Sequence, residues 1–458
     1  MPNKPKDAKS TKWADTDGSG GGSQMWALSG VAAEVLSLFG VIFLMVTTPA
    51  FTMLVYQVHD KFNGSLWELY EFGRDKGFKS CLQLWSGTTT EAWTVFAVFG
   101  IIQALLQLYF PAKTVNGPVS PKGNTPVYKD NGVSAYLATL VLFFAGWWLG
   151  WFSPARVYDI LGEILTVLNV FAILLCVFLT IKGVAFPSST DAGSTGSIVY
   201  DFYWGTELYP RIGKHFDIKV WTNCRMGMMS WAILPLCYVA KQHQLYGHVA
   251  NSMIVSVALM QIYVFKFFWW EAGYWNTMDI AHDRAGYYLC WGCLNWVPCI
   301  YTSPAMYLVK QPLQLSGLVA GGIFAAGILC IYVNYDADRQ RQVFRAKEGR
   351  LKIWGKAPRM IVAKYQTGTG ETKKSLLLVS GWWGLSRHFH YVPEILAAFF
   401  WTMPGLFNHA LPYFYVFFLT LLLTDRSFRD DQRCHSKYGE HWEEYRRLVP
   451  YKMVPGIF

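Results

Sequence analysis

Apolar runs of about 20 residues are long enough to cross a bilayer as helices, and this chain carries them one after another. Single windows fall at Leu36–Tyr56, Trp93–Phe110, Val133–Phe152, Ile164–Ile181, Met226–Ala240, Ser252–Trp270, Ala285–Tyr301 and Ser316–Asn334. A last block, Val392–Leu423, is too long for one span, and Pro404, Gly405, Asn408 and Pro412 near its middle predict a helical hairpin. The expectation is an all-α polytopic membrane protein with about ten transmembrane helices. Composition agrees: 53% of the residues are hydrophobic and 15% charged, against about 25% charged in a soluble domain.

The charge pattern orients the bundle. With ten spans, the N-terminus, the even-numbered loops and the C-terminus share one side and hold most of the 40 Lys and Arg. Positive loops mark the cytoplasm, so both termini are expected there. These residues are spread between apolar segments rather than gathered into one basic domain with interleaved aromatics, which argues against nucleic acid as a partner.

Residues 1–24, rich in Lys, Asp, Ser and Gly, read as a flexible polar tail without a cleavable signal. Residues 25–225 read as the first four spans and a cytoplasmic loop, and residues 226–458 as the remaining spans. Two polar regions, Tyr335–Ser380 and Arg426–Phe458, cap the cytoplasmic end. The β-formers Met360–Tyr365 beside the turn Gly368-Thr369-Gly370 predict a small hairpin in the first. The nine cysteines are scattered, and the lone pair Cys290 and Cys293 has no second pair, so neither a zinc site nor a disulfide framework is indicated.

Four clusters can carry chemistry. In Arg426–Arg447, read as one helix, Asp430, Cys434, Lys437, Tyr438 and Tyr445 share a face, and Arg426, Arg429 and Arg433 form a second. Positive groups beside stackable rings suit a phosphorylated, ring-bearing ligand; the alternative is an amphipathic helix on anionic headgroups. Arg341 and Arg345, four residues apart, offer guanidinium forks to phosphate or form an ordinary cytoplasmic collar. Arg387, His388 and His390 enter the final hairpin directly, where polar groups are costly unless they face a cavity; Gly381 and Gly384 before them permit close backbone approach. The alternative there is a Trp-rich interfacial anchor. Between two spans stand Glu271, Asp279, His282 and Asp283. Asp279, His282 and Asp283 fall on one face if helical, but their spacing is common and no metal is assigned. No GxGxxG follows a strand and no GxxxxGK[ST] is present, so a dinucleotide would bind outside a Rossmann fold.

Two stretches bear a resemblance. Gly196-Ser-Ile-Val-Tyr-Asp-Phe-Tyr-Trp-Gly-Thr-Glu-Leu-Tyr-Pro-Arg-Ile-Gly213 resembles the first signature of the sterol reductase family, and Leu423-Thr-Asp-Arg-Ser-Phe-Arg-Asp-Asp-Gln-Arg-Cys-His-Ser-Lys-Tyr-Gly439 its second. That family holds sterol C14 and C24 reductases and the lamin B receptor. Phe267–Asp283 and Ser380–Tyr391 resemble more closely its branch acting on the C7–C8 bond of Δ5,7-sterols, in a plant-like form.

The resemblance implies a ten-span fold whose cytoplasmic C-terminal half encloses NADPH and a sterol. It implies cofactor contacts at Arg341, Arg345, Leu378, Trp383, His390, Tyr391, Asp430, Cys434, His435, Ser436, Lys437, Tyr438 and Tyr445. Arg341 stands where Lys is also found, His390 where animal relatives have Asn, and Asp425 where the second signature has His. The implied reaction is that of the 7-dehydrocholesterol-to-cholesterol type, in an endoplasmic reticulum membrane if the source is eukaryotic, with other sterol-pathway enzymes as partners besides the bilayer and the sterol.

A ring alkene with no conjugated carbonyl has nothing to polarise it towards hydride, so an acid must protonate it before hydride arrives. Glu271, Tyr274, Asp279, His282 and Asp283 are the candidate donors, unranked, with Asp430 on the cofactor side. The alternatives are a Δ14- or Δ24-reductase of the same fold, a non-catalytic sterol-binding protein, an S-adenosylmethionine-dependent methyltransferase and a transporter.

Overall fold

The computed structural model describes residues 31–120, 122–366 and 372–458. The expected tail 1–24 and the turn Gly368-Thr369-Gly370 lie outside the described residues. Helices dominate, because in hydrocarbon an apolar segment can satisfy its backbone only within itself or in a closed barrel. In chain order the principal ones are α1 (Val31–Lys61), α2 (Thr90–Tyr109), α3 (Gly132–Trp148), α4 (Leu161–Ala185), α5 (Met229–Tyr246), α6 (Asn251–Trp269), α7 (Tyr287–Trp291), α8 (Gly317–Ala346), α9 (Tyr391–Thr402), α10 (Phe414–Tyr438) and α11 (Glu440–Leu448). A π-helix, Trp221–Met228, leads into α5, and a second, Gly292–Tyr301, continues α7.

Five of these helices are long and apolar enough to cross a membrane among the described residues: α1 from Leu36, α2, α4, α6 and α8. The apolar α3 is shorter, at 17 residues. The other expected spans are helical but broken. Met226–Ala240 begins in the first π-helix and contains Pro235, while Ala285–Tyr301 becomes the second π-helix around Pro298. Val392–Leu423 folds back as the expected hairpin, with α9 and α10 joined through short 3₁₀ turns at Met403–Gly405 and Leu411–Tyr413.

Outward faces of the long helices carry exposed Phe39, Phe43, Val141, Leu174 and Leu329, the surface a bilayer would cover. Trp148 and Trp151 stand exposed at one end of α3, as interfacial aromatics do.

The all-α expectation is corrected in one respect: three two-stranded antiparallel sheets are present among the described residues. Two are short, β1 (Thr114–Asn116) with β2 (Val127–Lys129) and β3 (Arg211–Ile212) with β4 (Phe216–Asp217). The third pairs β5 (Met360–Gln366) with β6 (Thr372–Leu378), the hairpin predicted from Met360–Tyr365. Its alternate residues Ile361, Ala363 and Leu377 pack with Tyr438, Trp442 and Tyr445 into a second small core against α10 and α11. That core places the hairpin over the polar end of the bundle.

Arg426–Arg447 is not one helix. It breaks at Gly439, whose φ of 53° lies in the left-handed region that glycine tolerates. The turn brings Trp442 and Tyr445 of α11 back beside Tyr438.

Candidate functional site

A single cavity of about 1320 Å³ runs between the polar end of the bundle and its apolar interior. Small-molecule pockets usually measure about 300–1,000 Å³, so this one has room for more than one ligand. Its polar mouth is built by the last turns of α8, the β5–β6 hairpin, the segment 380–391 and α10–α11. Its interior is walled by Leu44, Trp291, Trp296, Tyr415, Phe418 and Leu422.

In the mouth, the Arg341 guanidinium lies 4.1 Å over the Trp383 ring, and Arg345, one turn further along α8, lines the same wall. Trp383 is fixed by its indole N–H on the Ala337 carbonyl at 2.8 Å, while its own carbonyl accepts from the Tyr445 hydroxyl at 3.1 Å. Gly381 allows this approach of chain to helix: with φ 63°, a Cβ there would stand 2.0 Å from the Gln340 Oε1. Lys437 Nζ sits 4.3 Å over the ring of Tyr365, and the Tyr438 hydroxyl donates to Ser375 at 3.3 Å. Cations held over ring faces, with N–H groups free to turn inward, suit phosphate and stacked heterocycles together.

The histidines of the segment 380–391 face the cavity as neutral rings. His388 stacks on Tyr391 at 5.3 Å, and His390 stands 4.9 Å from Trp383. Burial lowers the His388 pKa to about 4 although the Asp430 carboxylate opposes it, and burial beside Arg341 pushes His390 down further. Burial opposes ionisation of Asp430 too, but Arg433, His388 and Arg341 hold its carboxyl below the usual range. Two buried ring nitrogens, His388 Nε2 and His390 Nδ1, have no hydrogen-bond partner within the protein. Arg387 also lines the cavity, yet its guanidinium is spent on structure. It donates to the Val449 carbonyl at 2.8 Å and the Pro450 carbonyl at 2.9 Å, and pairs with Asp431 at 3.3 Å, strapping the C-terminal segment to the site.

Fifteen of the expected residues line this cavity: Tyr274, Asp279, His282, Arg341, Arg345, Leu378, Trp383, His390, Tyr391, Asp430, Cys434, Ser436, Lys437, Tyr438 and Tyr445. Three expected residues are not among its lining. His435 is turned outward, with Nε2 2.8 Å from Glu443. Glu271 is buried off the cavity, both oxygens held by Arg225 at 2.5 and 3.0 Å. Asp283 is paired to Arg429 at 3.0 Å.

Asp279 and Asp283 answer the second arginine face of α10. Arg426 binds Asp279 at 2.5 Å as Arg429 binds Asp283, and Arg433 pairs with Asp430 on its own helix, so each arginine of this face is answered by a carboxylate from within. The same pairs occupy the carboxylates that a metal would need. His282 lines the cavity with its pKa lowered to about 3 by burial and then by Arg433, with Asp430 opposing. Burial and the nearby Asp279 raise the Tyr274 hydroxyl, which therefore keeps its proton at neutral pH.

Sequence reasoning missed a second acidic group. Tyr263 of α6 donates its hydroxyl to Glu394 Oε1 of α9, and Lys266 Nζ lies 4.5 Å over the Tyr263 ring while donating to Asn334 Oδ1 at 2.5 Å. All four residues line the cavity. A charged Lys266 inside an apolar window was the available signal, since such a residue is usually paired and functional.

The family model described as "Ergosterol biosynthesis ERG4/ERG24 family" matches residues 26–458. A 7-dehydrocholesterol reductase of Arabidopsis thaliana is 55% identical over 428 residues, covering 93% of this chain and 99% of the relative. One from Xenopus laevis is 35% identical, covering 93% of each chain. A Delta(14)-sterol reductase of Methylotuvimicrobium alcaliphilum is 36% identical, covering 82% of this chain and 86% of the relative.

Proposed function

The chain belongs to the ergosterol biosynthesis ERG4/ERG24 family of sterol reductases, and from that membership we propose that it reduces the C7–C8 double bond of Δ5,7-sterols with NADPH. The observation that carries this reading is the single cavity whose cationic, aromatic mouth opens into a hydrocarbon-lined interior. One end suits a charged dinucleotide and the other a rigid hydrocarbon ring system. The 55% identity to a plant relative named 7-dehydrocholesterol reductase favours this bond over Δ14 reduction, a choice that the more distant relatives, at 35% and 36% identity, do not make.

Arg341, Arg345 and Lys437 would hold the phosphates, and Trp383, His390, Tyr391, Tyr438 and Tyr445 the rings; the His388 Nε2 and His390 Nδ1 nitrogens, without a hydrogen bond in the protein, fit a polar ligand there. NADPH, when bound, supplies the hydride. The chain's own tasks are to exclude water and to deliver a proton to the alkene. Of the candidate donors, Tyr274 is the one that lines the cavity with a proton neither removed by ion pairing nor absent at neutral pH, so its hydroxyl is assigned the transfer. A second reading gives the proton to the Tyr263–Glu394 pair, on the observation that this hydrogen-bonded acid also faces the cavity.

The reading includes ten spans, both termini in the cytoplasm, an endoplasmic reticulum location in a eukaryotic source, and the cofactor in residues 226–458. Sterol would enter laterally from the bilayer while the cofactor arrives from the cytoplasm. The test is purified protein in detergent with 7-dehydrocholesterol and NADPH. Loss of the conjugated-diene absorbance, with a product heavier by two hydrogens, is expected. Consumption of a Δ14 or Δ24 substrate instead would discard the Δ7 branch, and binding without turnover of any sterol would favour a non-catalytic role.

A further inference from the structure

The first π-helix carries a side chain for which the chemistry above has no use. Asn223 is 2% exposed and lines the cavity, and neither its Nδ2 nor its Oδ1 has a hydrogen-bond partner within the protein. Its neighbours are engaged: the Thr222 hydroxyl donates to the Ile218 carbonyl at 2.7 Å, and Arg225 grips Glu271. An amide buried with donor and acceptor both unmet costs on the order of tenfold or more in an equilibrium constant. Such a group is retained where a ligand completes it, and π-turns recur at functional sites because they re-aim side chains.

The surroundings say which ligand. Along the same helix the next lining residues are Met228 and then Trp231, and the packed second π-helix presents Cys293 and Val297, so Asn223 faces the apolar stretch of the cavity. Thr48 and Tyr287, which line the same cavity, spend their hydroxyls on each other at 3.0 Å. Trp231 and Trp296 each leave an indole N–H unmet, but an indole can only donate. Asn223 calls for a group that both gives and takes a hydrogen bond, and a sterol carries one such group, its hydroxyl.

We propose that Asn223 anchors the 3β-hydroxyl of the sterol, Nδ2 donating to its oxygen and Oδ1 accepting its hydrogen. The proposal rests on the reading that the cavity takes a sterol, and it makes Asn223 the residue that fixes how the ring system lies rather than one that reacts.

The test compares binding of a Δ5,7-sterol and its 3-deoxy counterpart to the full-length protein, followed by quenching of tryptophan fluorescence in detergent. No turnover is needed. Wild-type protein is expected to favour the hydroxylated sterol about tenfold or more, and Asn223→Leu to bind both alike at the weaker affinity, with NADPH affinity unchanged. If Asn223→Leu does not fold, Asn223→Ala takes its place, and the wild-type comparison stands without either. Equal binding of the two sterols by the wild type, or undiminished discrimination in the variant, overturns the proposal. A loss of NADPH affinity instead would reassign the amide to the carboxamide of the cofactor, and overturns it too. Failure to bind either sterol would sink the sterol reading itself, whereas equal binding of both sinks only the role of Asn223.

Discussion

Glu271→Gln separates a structural carboxylate from a catalytic one. Glu271 and Arg225 have no exposed side-chain surface. Arg225 Nη1 donates to one carboxylate oxygen at 2.5 Å and Nη2 to the other at 3.0 Å, while Nη2 also reaches Asn131 Oδ1 at 2.7 Å. Glutamine keeps the shape but turns one of the two acceptors into a donor facing a donor, and it leaves the guanidinium charge uncompensated. Breaking one partner of a buried pair costs about 3–5 kcal/mol, because the surviving charge stays desolvated. At under about 2 °C per kcal/mol for a chain longer than 250 residues, the melting temperature should fall by roughly 5 °C. The assay is thermal unfolding of detergent-purified protein, with turnover measured per folded molecule well below the transition. The expected result is lower stability with near-normal turnover, and an Arg225→Met, Glu271→Leu double variant that regains much of the loss. Unchanged melting with turnover down a hundredfold would refute the reasoning, since it would put Glu271 on the substrate.

The other predictions concern the cavity. Arg341→Gln removes a charge-assisted contact worth about 1.5–3 kcal/mol, so NADPH binding by titration should weaken about tenfold to a hundredfold while sterol affinity stays within about twofold; equal loss of both in folded protein would count against a phosphate role. Tyr274→Phe should lower kcat by about 10²–10⁴ with both affinities kept, and a near-normal kcat would move the proton to Tyr263. Acid should destabilise the protein through its buried histidines. The folded pKa values of about 4 for His388 and about 3 for His282 lie below the free value of 6.5, so the unfolded chain takes up these protons first. Stability is therefore full above pH 6.5 and falls as pH drops towards 4, by up to about 1.4 kcal/mol per pH unit for each histidine. His388→Gln should flatten melting temperature against pH across that window, and an unchanged slope would mean that His388 is not buried as a neutral ring.

What could be read in the sequence was what local composition decides. Hydropathy finds α1, α2, α4, α6 and α8 because each contains an apolar stretch long enough to cross a membrane. The spacing of basic and aromatic residues in α8 and α10 finds most of the cavity's mouth, because residues three or four apart on a helix share a face whatever the rest of the fold does. Partnerships between distant segments leave no such mark. Glu271 looked like a free acid because Arg225 stands 46 residues away, and Asp279 and Asp283 could not be matched to Arg426 and Arg429 across 147 and 146 residues. The break at Gly439 was missed for a related reason: one face drawn through Tyr445 assumes an unbroken helix, and Tyr445 reaches the cavity because the helix is broken.

The helical segments with broken or irregular backbone are the ones that make the cavity's interior. α2, α3 and α4 contribute no described residue to the cavity lining. The two π-helices and the α9–α10 hairpin line its interior, with single faces of α1 and α6. Irregular backbone is tolerated at membrane depth only where protein covers it or where it borders a cavity, and the π-helices pack on one another around this one. Regular helices there would interdigitate their side chains and close the space. A wider π-turn leaves room and turns Asn223, Cys293 and Trp296 inward. Straightening either segment is thus expected to stabilise the bundle and shrink the cavity together, the ordinary opposition between a packed core and a binding site.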